Sequence, residues 1–333
     1  MARSASVQPL TANGFSAAAN TLDLAFHQPF YMLPLLHEAV RTRRLVGDGA
    51  MGTQLMLAGL EQGNCGEAWN LTHPDRVLAI QRRYALAGAD CILSNTFGGS
   101  RIMLRRHGHE KELAAINAAG VRIAREAFGG RPGYVLGDIG PLGALLEPYG
   151  DLTEEAARSA LEEQATALVS AGADAIIIET QTGLEELGLA IDAAKAAKAP
   201  SIIASLAYDL SADGTFYVTM MGVTPERAAE FAQERGANII ALNCGTGMDM
   251  KGAAQVAQIY REHCTLPIMV QPNAGLPVLE NLKAIYKQLP VDTAREVPAA
   301  LAAGAGIIGS CCGSTPDHTR EIRRKLDEFA QTH

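Results

Sequence analysis

The sequence predicts an α/β fold of the (β/α)₈ (TIM) barrel class, as a single domain behind an N-terminal extension. Eight short, apolar, β-branched runs alternate along the chain with longer segments of helical spacing. Parallel strands that are covered on both faces have this nearly continuous apolar character. The turn after the first run, residues 47–53, lacks the GxGxxG pattern of a doubly wound nucleotide-binding sheet. Eight units without that turn favour a closed barrel over an open sheet.

The eight runs have the length of strands, and the segments between them are long enough for helices. Catalytic and binding groups of such barrels lie at the C-terminal ends of the strands. The last residues of each run are therefore the first candidates for a functional role. The predicted strands are residues 45–49, 90–96, 134–140, 174–180, 201–208, 238–244, 267–273 and 306–311.

The segments between the runs carry helix start and stop signals. Thr153 is a predicted N-cap, and threonine–proline pairs at 224–225 and 315–316 predict two further helix starts. Glycine suits the left-handed position that ends a helix. A glycine of this kind precedes every second run, which indicates a two-unit repeat. These glycines are Gly88, Gly172, Gly236 and Gly304.

The predicted domain organisation is an N-terminal arm with a lead-in helix, residues 1–43, followed by the barrel, residues 44–333. Residues 1 to about 20 are small and polar without periodicity, which is typical of a flexible arm. Residues 21–43 hold enough apolar side chains to plug the bottom of the barrel or to join a subunit interface. A homo-oligomer is therefore left open.

The composition excludes several classes of protein. Of the 333 residues, 48% are hydrophobic, which is enough for a large core, and the net charge is −8. An acidic chain argues against a nucleic-acid partner, because such a surface needs a basic patch. The sequence contains neither an apolar run of membrane-spanning length nor a secretory signal pattern. We therefore expect no membrane association and a cytoplasmic location.

Three of the six cysteines fall at predicted strand ends, namely Cys244 after the sixth run and the adjacent pair Cys311 and Cys312 at the eighth. Three converging thiolates with an open fourth position are typical of a catalytic zinc site. Glycines at 245, 247 and 313 would let the backbone turn sharply around the ion. The alternative is that these cysteines are small buried hydrophobes. Cys65, Cys91 and Cys264 lie away from this face or in a loop of uncertain role.

Seven stretches of this chain resemble the homocysteine S-methyltransferase family, most closely the homocysteine-binding domain of cobalamin-dependent methionine synthase. The resemblance spans about residues 44–325 and implies a barrel, zinc bound by Cys244, Cys311 and Cys312, and methyl transfer to the homocysteine thiolate. Ser310 departs from the family, which usually has glycine there. The stretches are DGAMGTQL (48–55), AGADCILSNTF (87–97), IIIETQT (176–182), TMMGVTPE (219–226), NCG (243–245), QPNAGLP (271–277) and CCGSTPDH (311–318).

Asp48 and Glu179, at the ends of the first and fourth runs, are the predicted partners of the homocysteine ammonium, and the resemblance supports both. The alternatives are a helix cap for Asp48 and an ion pair within the barrel for Glu179. Backbone amides of Gly49 and residues 50–52 would bind the carboxylate, as successive N–H groups in tight turns do. Asn95 and Thr96 end the second run and are candidates for further hydrogen bonds to substrate.

The resemblance also implies a role for Asn273, because the asparagine of PNAG in methionine-synthase-like relatives can approach zinc when substrate is absent. The alternative is that Asn273 only stabilises a turn.

The methyl donor is not determined by the sequence. The motifs SNTF, PNAG and CCGSTPDH resemble the cobalamin-type branch of the family, so the expected donor is a corrinoid, such as methylcobalamin. Since the chain ends soon after the eighth unit, we expect a separate corrinoid- or folate-binding protein to carry the donor. S-methylmethionine is the second candidate. Betaine would need an aromatic cage, and the sequence offers one tryptophan, Trp69, for it.

Two other classes of protein compete with this interpretation. One is a non-catalytic zinc-binding subunit of a methyltransferase complex, which would not need the amino-acid pocket around Asp48 and Glu179. The other is a metal-free aldolase- or isomerase-like barrel. That chemistry would need a Schiff-base lysine or an acid–base pair at strand ends, and no run ends in lysine.

Overall fold

A computed structural model describes Met1 and residues 33–280 and 283–332 of the chain. Leu33–His333 form one compact unit. The predictions for the arm and for the first part of the lead-in segment lie outside the described residues. No helix in the described part of the chain is both long and apolar enough to span a bilayer.

Eight parallel strands form one sheet that curls into a nearly closed barrel, which confirms the predicted fold class. In spatial order the strands run β1-β8-β7-β6-β5-β4-β3-β2, so neighbours in sequence are neighbours in space. The strands are β1 (Leu45–Val46), β2 (Cys91–Leu93), β3 (Tyr134–Ile139), β4 (Ala175–Gln181), β5 (Ile202–Leu206), β6 (Ile239–Asn243), β7 (Ile268–Gln271) and β8 (Ala305–Ile308).

All eight predicted strands exist, but several are shorter than predicted. The first was predicted as residues 45–49 and pairs only over Leu45–Val46, and the eighth was predicted as residues 306–311 and covers Ala305–Ile308. Beyond these residues the backbone still bonds its neighbours but no longer in a regular ladder: the Gly309 N–H donates to the Val270 carbonyl of β7, and the Cys311 N–H donates to the Pro272 carbonyl in the loop after β7. The residues with functional potential therefore lie in loops just beyond the strands.

Helices surround the sheet, and two short antiparallel hairpins that the sequence analysis missed lie in loops at the C-terminal ends of β5 and β7. The hairpins are Asp209–Leu210 with Tyr217–Val218 and Pro277–Glu280 with Lys283–Tyr286. The helices are α1 (Leu36–Thr42), α2 (Gly52–Leu57), α3 (Trp69–Thr72), α4 (Pro74–Leu86), α5 (Arg101–Arg105), a 3₁₀ turn (Glu110–Glu112), α6 (Leu113–Ala127), α7 (Glu154–Ser170), α8 (Leu184–Ala196), α9 (Pro225–Glu234), α10 (Met250–His263), α11 (Pro290–Arg295), α12 (Val297–Ala302) and α13 (Pro316–Thr332).

The helix signals in the sequence are confirmed at most of the predicted positions. Thr153 and Thr224 accept hydrogen bonds from the amides three residues ahead, and α9 and α13 begin at the predicted prolines. The Thr315 hydroxyl instead contacts the Nδ1 of His318, at 3.1 Å. All four helix-ending glycines have positive φ, between 79° at Gly236 and 106° at Gly88.

At the N-terminal end of the barrel, the two-unit repeat appears as a repeated pair of hydrogen bonds between neighbouring strands. An Asp or Asn lies two residues after each of the first three repeat glycines. Its backbone and its side chain both form hydrogen bonds with a residue at the start of the preceding strand. Each accepts a strand N–H through its side chain and donates its own N–H to the same residue's carbonyl. The pairs are Asp90 with Val46, Asp174 with Val135, and Asn238 with Ile202.

The gap between β1 and β2 has no strand ladder and is bridged by two aspartates. Asp90 N–H donates to the Val46 carbonyl at 2.7 Å, and Asp90 Oδ2 accepts the Val46 N–H at 2.9 Å. Nearer the C-terminal end, Asp48 Oδ2 accepts the Leu93 N–H, also at 2.9 Å. Edge groups that would otherwise be buried without partners are satisfied in this way.

The barrel interior is apolar at its N-terminal end. Leu136 on β3 and Ile177 on β4 belong to an interior cluster that also includes Leu36 and Val40 of α1. Helix α1 therefore packs into this end of the barrel. Because side chains alternate along a strand, the residue two positions after each interior residue also points inward. At the C-terminal end, the resulting interior layer is polar: Asp138, Glu179, Ser205, Asn243 and Gln271.

Candidate metal centre and acceptor cavity

The three cysteines predicted as metal ligands lie together at the C-terminal end of the barrel. Cys244 directly follows β6, and Cys311 and Cys312 lie in the loop after β8. The three sulfur atoms are all within 4.8 Å of one another. Cys312 Sγ is 3.8 Å from Cys244 Sγ and 3.9 Å from Cys311 Sγ. Three sulfur atoms this close can bind one soft or borderline metal ion.

Loops after β6, β7 and β8 hold the cysteines through hydrogen bonds between the loops. The Cys311 amide donates to the Pro272 carbonyl at 2.7 Å. The side-chain amide of Asn273 donates to the Gly245 carbonyl at 3.0 Å, and its Oδ1 is buried without a hydrogen-bond partner. Asn273 therefore stabilises the turn beside Cys244. Its predicted approach to the metal stays a prediction.

The backbone at the cysteines is strained or needs glycine, as at many functional sites. Cys244 itself has a left-handed φ of 58°, which is rare for a residue with a side chain. Gly245 follows with a φ of 90°, and a Cβ there would lie only 1.8 Å from the Tyr208 carbonyl oxygen. Gly313 also has a positive φ, and a Cβ would lie 2.1 Å from Cγ of Tyr286. The predicted sharp turns at these glycines are present.

The proximity of the three thiols changes their acidity. Hydrogen bonds from Cys311 and Cys312 lower the pKa of Cys244 to about 3. The same interaction with Cys244 raises the pKa of Cys311 and of Cys312. The three thiols therefore do not lose their protons independently of one another. A divalent cation would remove the competition and leave all three deprotonated.

Two residues that the sequence analysis did not single out also contact the cysteine cluster. Asn243 is fully buried and bonds Thr180 through both atoms of its amide, and its Nδ2 lies 3.9 Å from Cys311 Sγ. The Tyr286 side chain, from the hairpin after β7, hydrogen-bonds Cys312. These groups would orient ligand sulfur atoms, as partners of metal ligands usually do.

A cavity of about 400 Å³ opens beside the three thiols. Its lining includes Glu179, one of the two predicted ammonium partners, together with the carboxyl groups of Asp138 and Glu67. Asp48, the other predicted partner, is buried just before the turn that lines the cavity but is not itself among the lining residues. Burial raises the pKa of Asp48 to about 8. Burial, with the charges of Asp48 and Cys244 adding to it, raises the pKa of Glu179 to about 8. Such perturbed groups in a cleft are typical of functional sites.

The turn after β1 is close-packed against the loop after β8. A Cβ on Gly49 would lie 2.6 Å from the Ser314 hydroxyl and 2.8 Å from the Tyr84 ring. The Ala50 amide donates to the Ser314 hydroxyl at 3.0 Å. Of the amides predicted to bind a substrate carboxylate, that of Ala50 therefore already has a partner. Ser310, where the resemblance led us to expect glycine, lines the cavity, and its buried hydroxyl has no hydrogen-bond partner.

Asn95 and Thr96 line the cavity, but their side chains have partners within the protein. The Asn95 side-chain amide donates to the Gly66 carbonyl at 2.9 Å and to Asn70 Oδ1 at 3.0 Å. The Thr96 hydroxyl donates to the Asp138 carbonyl at 2.7 Å. Both residues thus connect β2 to its surroundings. Their predicted contacts with substrate stay a prediction.

The remaining cysteines and the tryptophan lie outside the cysteine cluster. Cys91 is fully buried at the start of β2, Cys264 caps the end of α10, and Cys65 hydrogen-bonds Glu67 in the first loop. Trp69 is buried at the start of α3, with the Arg76 guanidinium 5.2 Å from its ring centroid. It is not among the residues that line the cavity.

Comparison with known proteins assigns the chain to a family. Residues 45–326 match the sequence profile described as homocysteine S-methyltransferase. The chain belongs to the homocysteine S-methyltransferase family. This is a family of methyltransferases, so the resemblance noted from the motifs is confirmed.

Curated relatives include the methionine synthases of Mycobacterium leprae, 34% identical over 318 residues, and of Mycobacterium tuberculosis, 34% identical over 305 residues. These alignments cover 90% and 86% of the chain. The chain spans only about a quarter of the length of either relative, 25% in both cases.

Solved structures of similar fold include the Escherichia coli homocysteine methyltransferase MmuM. Its metallated form matches with a TM-score of 0.70 and 21% identity, and its oxidized form with a TM-score of 0.71 and 20% identity. These matches cover 87% and 88% of this chain and 100% of the MmuM chain. At this identity the match supports the barrel fold.

Proposed function

We propose that the chain is a zinc-dependent methyltransferase that methylates the homocysteine thiolate to form methionine. The observation that carries the proposal is the group of three thiols, within 4.8 Å of one another, beside a cavity lined by buried carboxyl groups. The thiols suit zinc with one position open for a substrate sulfur. The carboxyl groups suit the ammonium end of an amino acid.

The residues present fit zinc, because Cys244, Cys311 and Cys312 supply three sulfur donors and the cavity beside them leaves room for a fourth ligand. A bound zinc ion would supply the Lewis acidity that keeps the acceptor sulfur deprotonated. A free thiol, with a pKa near 8.5, is mostly protonated at neutral pH. In the transfer, a sulfur lone pair forms the bond to the methyl carbon. The bond from that carbon to its donor breaks, and its electron pair leaves with the donor.

The amino-acid end of homocysteine would bind to acidic and backbone groups at the cavity. Asp48 and Glu179 would accept hydrogen bonds from the ammonium group. The carboxylate would bind to free amides in the turn that begins at Gly49 and to the unpartnered Ser310 hydroxyl. No lysine or arginine is among the described residues that line this cavity. Neutral donors would therefore have to bind the carboxylate.

We propose a methylated corrinoid, carried by a separate protein, as the methyl donor. The similarity to methionine synthases supports this choice. Betaine is less suited, because a quaternary ammonium is held by several aromatic rings. Phe97 is the one aromatic residue among the described lining residues, and Trp69 packs elsewhere. S-methylmethionine remains the second candidate, on the grounds that it needs no aromatic cage.

A donor-panel assay tests the proposed function. Zinc-loaded protein is incubated with homocysteine and, separately, methylcobalamin, S-methylmethionine, betaine or methyltetrahydrofolate, and methionine is quantified by mass spectrometry. We expect zinc-dependent methionine formation with methylcobalamin. If S-methylmethionine alone supports turnover, it is the methyl donor in place of the corrinoid, and homocysteine remains the acceptor. Tight homocysteine binding without turnover from any donor would support a non-catalytic subunit. Absence of homocysteine binding would overturn the proposal.

A further inference from the structure

Asp138 is one of the carboxyl groups that line the cavity, with Glu179 and Glu67. It lies near the end of β3 and is only 5% exposed. Its backbone is fixed on both sides, because its N–H donates to the Ser94 hydroxyl at 3.1 Å and its carbonyl accepts from the Thr96 hydroxyl at 2.7 Å. Its side-chain Oδ1 is buried without a hydrogen-bond partner. A buried carboxyl oxygen with no partner, on a residue that lines a cavity, calls for a hydrogen-bond donor that a ligand could supply.

The surroundings of Asp138 are acidic. Burial raises the pKa of Asp138 well above its usual range, and the nearby charges of Glu179, Asp48 and Glu67 raise it further. The described residues that line the cavity include no lysine or arginine to offset these charges. Leaving several carboxyl groups together in a buried site is costly. A positively charged group on the ligand would offset that cost.

The carboxyl groups differ in how much hydrogen-bonding capacity they have left. Asp48 Oδ2 accepts the Leu93 N–H where it bridges β1 and β2. The two oxygens of Glu67 bind the Gly98 amide and the Cys65 thiol. Asp138 keeps an entire oxygen free. It is therefore better placed than Glu67 to bind a cation without breaking a bond that the fold uses.

We propose that Asp138 is a specificity-determining residue that binds the ammonium group of the acceptor thiol together with Glu179. The substrate class is then a thiol that carries an ammonium group on the same molecule. This inference rests on the proposed function, since it assumes a thiol acceptor at the cysteine cluster. It adds a third carboxyl group to the pair, Asp48 and Glu179, that the sequence indicated.

Two truncated acceptors separate the ammonium from the carboxylate. The compound 3-aminopropane-1-thiol keeps the thiol and ammonium of homocysteine, and 4-mercaptobutyrate keeps the thiol and carboxylate. Dissociation constants of all three thiols are measured by calorimetry on zinc-loaded wild-type protein and on Asp138→Asn. The substitution keeps the shape and removes the charge. We expect homocysteine and 3-aminopropane-1-thiol to bind roughly ten- to a hundredfold more weakly to the variant. Binding of 4-mercaptobutyrate should be unchanged or tighter.

Ser94→Ala is the matched control, because it removes the hydroxyl that accepts the Asp138 N–H but leaves the carboxylate in place. A purely structural effect should change the affinity for all three thiols by the same factor, as we expect for Ser94→Ala. Equal losses in Asp138→Asn would therefore overturn the proposal, and so would unchanged affinities. If Asp138→Asn does not fold, as judged by circular dichroism and zinc content, Asp138→Ser provides the same comparison.

The outcomes for wild-type protein separate this inference from the proposed function. Wild-type protein that binds no thiol would overturn both. Wild-type protein that prefers 3-aminopropane-1-thiol to 4-mercaptobutyrate, with the same preference in Asp138→Asn, would keep the proposed function. That result would overturn only the role of Asp138.

Discussion

Acidic residues have opposite environments at the two ends of the barrel. At the N-terminal end, acidic side chains have cationic and backbone partners. Asp90 pairs with Arg323, and Asp174 pairs with Arg125 at 2.6 Å. Each of these aspartates also accepts the N–H of the neighbouring strand. The charges and hydrogen-bonding groups of these aspartates are therefore satisfied without a ligand.

At the C-terminal end, the acidic residues are more deeply buried, and their charges raise one another's pKa. Asp138 and Glu179 line one cavity, in which no described lining residue is a lysine or arginine, and Asp48 is buried beside the turn at its edge. Left-handed φ values at Thr180 and Cys244 occur at this end as well. The contrast indicates that the N-terminal end stabilises the fold and that the C-terminal end keeps unfavourable groups together for a ligand.

The largest expected effect is loss of the metal site. Cys311→Ala or Cys312→Ala should reduce bound zinc to background and lower turnover by at least about a thousandfold, because the substrate sulfur is no longer activated. The melting temperature should change little, since the barrel has its own core. Metal analysis, the methyl-transfer assay and thermal denaturation measure these three quantities.

Cys264→Ala is the control for a cysteine outside the cluster, and it should keep both zinc and activity. Stoichiometric zinc with unchanged coordination in the double variant Cys311→Ala/Cys312→Ala would show that the metal assignment is wrong.

The next effect concerns substrate affinity. Glu179→Gln keeps the shape of the side chain but removes its charge, which typically costs about 1.5–3 kcal/mol for a charged hydrogen bond. Homocysteine should bind roughly ten- to a hundredfold more weakly in calorimetry, while zinc content stays the same. A simple alkanethiol should be affected far less. Equal losses for both ligands would place Glu179 in the framework instead of the ammonium site.

A variant at the N-terminal end of the barrel should lose stability but keep its ligand affinity. Asp174→Ala removes the partner of Arg125 and leaves the Val135 N–H unpaired. We expect a loss of about 1–3 kcal/mol in the free energy of unfolding, measured with urea. The affinities of the folded protein for zinc and homocysteine should not change. A loss of ligand affinity without a loss of stability would break the distinction between the two ends.

The last expected effect is the pH dependence of stability. The folded-state pKa of Asp48 and of Glu179 is raised to about 8, well above the unfolded values near 4. Between these limits the folded protein binds more protons than the unfolded chain, so its stability should fall as pH rises from about 5 to 8. One pKa unit corresponds to about 1.4 kcal/mol at most. Urea titrations of zinc-loaded Glu179→Gln should give a flatter pH profile than the wild type. An identical pH profile would show that Glu179 does not have a raised pKa in the folded protein.

Much of the fold could be predicted from the sequence, because helix-ending glycines and buried apolar strands are local signals. Gly88 and Gly172 identified the two-unit repeat, and each has the expected positive φ. The cysteine cluster could be inferred because barrel strands bring their C-terminal ends together. The strand ends were predicted too long, since pairing between loops and turns depends on contacts far apart in sequence. The hairpin that carries Tyr286 was missed for the same reason.

Asp138 was missed although a signal for it exists. In the run YVLGDIG, it is the one charged residue in an otherwise apolar strand. Counting every second residue from Tyr134 gives Leu136 and then Asp138 on the interior face. The same count on β6, from Ile239 through Ala241, gives Asn243. Alternation thus predicts which side chains point inward, but only the assembled barrel establishes which of them share a cavity.

The most direct test of the account is zinc X-ray absorption spectroscopy of the purified wild-type protein, recorded with and without homocysteine. Without homocysteine, we expect zinc to have three sulfur ligands and one lighter ligand, oxygen or nitrogen. At saturating homocysteine, a fourth sulfur should replace the lighter ligand, because the acceptor thiolate fills the open position. A zinc site with mainly oxygen and nitrogen ligands, or one that gains no sulfur from homocysteine, would contradict the central claim that this cysteine cluster binds and activates the acceptor.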